Sequence, residues 1–93
     1  MTLPSFDQFR AQALARGATE VIERAWEPNQ VVETHSHPFD ADALVVQGEM
    51  WLACEGQPER RLVAGDTFQL ARGTPHGERY GAEGAVYWVG RKG

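Results

Sequence analysis

Val31-Val32-Glu33-Thr34-His35-Ser36-His37 and, further along, Gly73-Thr74-Pro75-His76 hold all three histidines of the chain. The first run reads as a strand, in which residues i and i+2 point to the same face. His35 and His37 therefore lean into one space. The second run is a turn leading into another strand-like segment, so a barrel or sandwich brings His76 opposite the pair. Three converging neutral imidazoles suit a divalent transition metal. On spacing alone, the competing reading makes His35 and His37 surface residues of a polar loop before Pro38, with His76 unrelated.

Outward from these runs, almost everything reads as strand. The segments are 19–27, 30–37, 41–47, 49–55, 60–63, 67–70, 76–80 and 85–91. Between them lie Pro28-Asn29, Gly48, Gly56-Gln57-Pro58, Gly65-Asp66, Gly73-Thr74-Pro75 and Gly81-Ala82-Glu83-Gly84, all with turn chemistry. Roughly eight short strands at close spacing predict an all-β antiparallel sandwich or barrel. The exception is 5–16, where Phe6, Phe9, Ala13 and Leu14 recur at helical spacing. Ser5 and Gln8 form a capping box, and Gly17 follows as the stop. The expected organisation is an N-terminal helix over residues 1–18 and a single β domain over 19–93.

A chain of 93 residues has a small core, so a bound metal or a homodimer is the expected further source of stability. The net charge of −4, with no basic stripe, argues against nucleic acid or an anionic membrane as partner. Cys54, the single cysteine, lies in the apolar run Met50-Trp51-Leu52-Ala53 and reads as a small core residue. No signal-like N-terminal stretch and no long apolar run is present, which predicts a soluble, cytoplasmic protein. The aromatic residues Trp26, Trp51, Trp88, Phe68 and Tyr87 read as core.

Strand parity extends the candidate site. If His35 and His37 point inward, Glu33 and Val31 share their face, and Ala41, Ala43 and Val45 do the same on the next strand. Glu78 and Tyr80 follow His76 at the same parity. Glu33 and Glu78 are therefore candidate general bases, and Tyr80 a candidate donor to a bound oxygen anion.

The chain resembles a small single-domain cupin. The first cupin motif runs G-x5-H-x-H-x(3,4)-E-x6-G, and here Asn29 stands at its first glycine while His35, His37 and Gly48 fall in register. In the second motif, G-x5-P-x-G-x2-H-x3-N, Gly65, Gly73 and His76 match, whereas Ala71 replaces the proline and Tyr80 the asparagine. The likeness implies a jelly-roll β-barrel with His35, His37 and His76 as metal ligands. Ala41 occupies the position of the motif glutamate, a metal ligand in many cupins. The site is thus expected to be a bare three-histidine one, or to borrow Asp40, Asp42, Glu33 or Glu78. Alternation turns Asp40 and Asp42 outward, which favours the bare site. Iron, nickel, zinc and copper all suit imidazole, and three neutral ligands favour a small anionic organic ligand. The resemblance implies a metal-dependent enzyme of oxygenase or isomerase type. A non-catalytic, sensor-like binding module and a metal-free barrel remain the alternatives.

Overall fold

The computed structural model describes residues 2–93. One helix, α1 (Phe6–Ala15), precedes six strands: β1 (Glu20–Trp26), β2 (Val31–His35), β3 (Asp40–Cys54), β4 (Arg60–Val63), β5 (Thr67–Leu70) and β6 (His76–Lys92). The long strands β3 and β6 pair antiparallel along nearly their whole length, from Asp40↔Lys92 to Cys54↔His76. Every other strand pairs with one of them. β1 and β5 flank the half made by the start of β3 and the end of β6, and β2 and β4 flank the other half. All pairings are antiparallel, and the architecture is a jelly-roll β-barrel around one main core.

Gly48 and Gly81–Gly84, expected to end strands, lie inside β3 and β6. The ladder survives there because its register shifts, between Val45 and Gln47 and again between Gly48 and Met50. Such bulges add a residue to one strand and bend it without ending it. At the bend the backbones nearly touch. A Cβ on Gly48 would sit 2.2 Å from the Gly84 carbonyl oxygen, and one on Gly84 would sit 2.3 Å from that of Trp26. Both residues also have positive φ, +82° and +69°. The two halves of the ribbon fold toward each other about this point.

The core lies between the halves. Ala41, Ala43, Val45, Phe68, Tyr87 and Val89 come from one, and Met50, Leu52, Leu62 and Tyr80 from the other. The predicted inward parity of Ala41, Ala43 and Val45 is what the structure has. Trp26 of β1 stacks on Tyr80 at 5.1 Å between ring centroids, and Cys54 packs at the edge of the same cluster.

The helix forms as its sequence predicts. The Ser5 side chain accepts from the Gln8 amide, and the Gln8 side chain accepts from the Ser5 amide. It covers the outer face of β3 and β6 through Phe9 and Ala13, which pack with Leu44 and Trp88. Phe6 meets Trp88 edge-on at 5.4 Å. Leu14 instead remains exposed. Five residues beyond Phe9, it is turned about 140° away around the helix.

Substituting Gly48→Ala tests the bend. The added methyl meets backbone on a strand held from both sides, and its φ is strained. The expected loss is on the order of 3 kcal/mol, read as a lower denaturation midpoint in urea.

Candidate metal centre

The three histidines are brought together by hydrogen-bonded backbone. His35 ends β2 and His76 opens β6, and the two are cross-strand partners. His37 lies in the β2–β3 connection, where its carbonyl accepts from the Gly73 amide at 2.8 Å. The same connection is tied again by Asp40, whose Oδ1 accepts from the Arg72 amide at 2.8 Å. The loop carrying His37 is thus fastened to the turn that delivers His76.

Candidate ligand nitrogens from all three imidazoles lie within 4.8 Å of one another, the one such group of metal-ligating side chains among the described residues. The Nδ1 of His35 donates to the Glu33 carbonyl at 2.7 Å, and the Nδ1 of His76 to the Thr74 carbonyl at 2.9 Å. Each bond holds the ring in the tautomer that leaves Nε2 as a lone-pair donor. His37 Nδ1 makes no such bond among the described residues, and its ring instead stacks on Phe39 at 4.8 Å. His35 Nε2 and His37 Nε2 face each other at 3.1 Å. Two nitrogens bound about 2.1 Å from one ion at about 95° lie roughly 3.1 Å apart, so this pair is spaced as two ligands of one transition-metal ion would be. Burial, followed by the charges of His35, His76 and Arg91, holds His37 below the ordinary 6.5, while Glu78 pulls it upward. The net effect favours the neutral form that a ligand needs.

The carboxylates separate clearly. Glu78 is buried beside the histidines, with Oε2 at 4.0 Å from His35 Nε2. Its Oε1 accepts from the Tyr80 hydroxyl at 2.8 Å and from Tyr87 at 3.5 Å. Burial and the Glu78 carboxylate hold the Tyr80 phenol well above its usual range, and the same causes push Tyr87 up to about 12. Both phenols therefore stay protonated as donors. In the structure the Tyr80 proton is directed at Glu78 Oε1.

Glu33 is exposed and does not share the histidine face. The register of β2 shifts between Val32 and His35, which reverses the parity. Val32 packs on the core, while Val31 is 69% exposed. Asp40 and Asp42 also lie outside. Asp40 is near Arg72, and Asp42 pairs with Arg16 at 3.1 Å and accepts from Gln69. Sequence reasoning missed Arg91 and Phe39, which join Ala41, His37, His76 and Glu78 around a cavity of about 30 Å³. Parity alone carried the signal for Arg91, which stands two and four residues beyond the inward Val89 and Tyr87. A larger depression of about 420 Å³ lies beneath α1, lined in part by Arg16, Asp42, Gln69 and Lys92. It contains none of the histidines.

No family model matches the sequence, and no curated protein does. Solved structures do. The DMSP lyase DddQ from Ruegeria pomeroyi DSS-3 is matched with a TM-score of 0.69 and 27% identity, over 78% of this chain and 36% of that one. KdgF from Halomonas sp. is matched with a TM-score of 0.67 and 27% identity, over 78% of this chain and 67% of that one. Bacillus subtilis oxalate decarboxylase, a protein with Mn(II) centres, gives a TM-score of 0.70 at 20% identity, over 77% of this chain and 20% of that one. RmlC-like cupins are matched as well. The chain has the fold of a small cupin domain. It spans little more than a third of the length of the DMSP lyases.

The lowered His37 value carries a pH dependence. Below about 6.5 the unfolded chain takes up a proton that folded His37 resists, so metal-free protein loses stability as pH falls from 6.5 toward the lowered value. The denaturation midpoint of metal-free protein is expected to drop between about pH 7.5 and pH 5.5, and to drop less in His37→Gln.

Proposed function

We infer that this domain binds one divalent transition metal through Nε2 of His35, His37 and His76, and with it a small anionic organic molecule. The observation that carries the reading is the convergence of three ring nitrogens, two of them set by backbone carbonyls behind the ring. Imidazole donors suit iron, nickel, zinc and copper, and the Mn(II) centres of a protein with the same fold add manganese to the candidates. When bound, the ion supplies Lewis acidity and an open coordination position.

The chain's own residues supply the rest. Glu78 is the proposed proton acceptor: Tyr80 and Tyr87 hold its Oε1, leaving Oε2 directed toward the histidine cluster. Its burial keeps bulk water from competing for the transferred proton. A base placed this way favours a metal-dependent enzyme, of oxygenase or isomerase type, over a sensor-like binding module. The cavity of about 30 Å³ admits roughly one or two water-sized groups, which limits the ligand to a small molecule or the small end of a larger one. Homodimerisation is proposed on the modest core of so short a chain, and sedimentation at micromolar concentration tests it.

Elemental analysis of protein purified without a metal-affinity tag is expected to find roughly one transition-metal ion per chain, lost in His76→Ala. Stripping the metal is expected to lower the melting temperature, because a ligand bound only by the folded state stabilises it. Unchanged metal content in the variant would overturn the three-histidine assignment. Metal-loaded protein incubated with a panel of small carboxylic acids and followed by NMR separates the two functional readings. Conversion that is lost in Glu78→Gln with metal retained supports the enzyme, and binding without conversion supports the module.

A further inference from the structure

Arg91 stands out among the cationic side chains of the chain. It sits on β6 at the parity of Tyr87 and Val89, so it extends the inward face to the mouth of the metal cavity. Its guanidinium carbon lies 4.7 Å from the centre of the Phe39 ring, and its Nε is buried with no hydrogen-bond partner among the described residues. None of the ion pairs of the described residues includes it. A buried guanidinium donor is costly to leave unpaired. The two cross-strand partners of Arg91 leave it free: Ala41 on β3 lines the same cavity and has no polar atom to offer, and Glu20 on β1 is exposed, lies outside the cavity and forms no ion pair with it. Glu78, the one carboxylate in the cavity, is held by two tyrosines. With a divalent ion on three neutral imidazoles, Arg91 raises the local charge to +3 against the single negative charge of Glu78.

We propose that Arg91, facing the space above Ala41, is the carboxylate-binding residue of this cavity, and that the ligand is a small carboxylic acid held between the guanidinium and the metal position. The assignment rests on the metal reading and adds the substrate class and the residue that selects it. A guanidinium matches a carboxylate with two parallel N–H donors, and the ligand supplies the acceptor that Nε lacks. The cavity has room for about the two oxygens of a carboxylate, so the remainder of the acid extends outward past Phe39 and the His37 loop. Arg91 lines this cavity together with His37 and His76, which places its charge beside the cluster.

The test uses the cobalt(II)-loaded 93-residue chain titrated with acetate in chloride-free buffer, with the visible cobalt spectrum reporting the ligand. Wild type is expected to take up cobalt and to show a saturable acetate-dependent spectral change. Arg91→Met keeps an apolar stem against Phe39 and removes the fork. It is expected to retain cobalt affinity and to weaken acetate binding by roughly tenfold or more. Arg91→Lys is expected to fall between the two, and it carries the comparison if the methionine variant does not fold. Ala41→Glu, which puts a carboxylate across the ladder from Arg91, is expected to bind cobalt and lose the acetate response. Acetate affinity unchanged in Arg91→Met or Arg91→Lys, or a cobalt-loaded wild type blind to acetate, overturns the Arg91 assignment alone. A wild type that takes up no cobalt overturns the metal reading beneath it.

Discussion

The backbone contact at Gly48 and Gly84 is the constraint on which the rest of the molecule depends. β3 and β6 form one long ribbon, and only a bend in it lets the two halves face each other. With side chains excluded from the bend, Trp26 of one half reaches Tyr80 of the other, and Tyr87 reaches the carboxylate of Glu78. The core and the buried carboxylate beside the histidines therefore share one origin. His76, at the start of β6, lies in register with both His35 and Cys54, so its position is set by strands on both sides.

Much of this was legible in the chain because it rests on local chemistry. The capping box at Ser5, the strand-type segments and the inward run Ala41, Ala43 and Val45 all follow from spacing. The cupin likeness seen in two separated motifs agrees with the solved structures that share the fold. Sequence failed where the ladder is irregular. A register shift between Val32 and His35 reverses the face on which Glu33 lies, and nothing in the composition of Val31-Val32-Glu33-Thr34 signals it. Glycines at 48 and 84 look like chain reversals, yet they serve as bends within paired strands, because positive φ and close approach suit a bulge as well as a turn. Arg91 escaped because a cation near a chain end is ordinarily solvent-exposed.

The polar groups around the histidines divide by what holds them. Glu78 has its Oε1 held by two phenols, Asp40 and Asp42 serve the loops and the outer face, and Arg91, which lines the cavity, has a buried Nε without an acceptor, as has the Trp26 indole elsewhere in the core. Ala41 contributes by its smallness. Across the ladder from Arg91 it leaves open a volume that a longer side chain would fill. Arg91 and Glu78 offset one another in the metal-free cavity, and a divalent ion on the neutral imidazoles would weight its charge toward positive and so toward an anionic ligand.

The three imidazoles are not equivalent in their mounting. Those of His35 and His76 are each pinned from behind by a peptide carbonyl two residues earlier, whereas the ring of His37 rests on Phe39 and is carried by a loop. The cluster accordingly has two stiff legs and one compliant one. A tripod built that way can accept ions of somewhat different radius by moving a single ring, without disturbing the sheet that carries the other two.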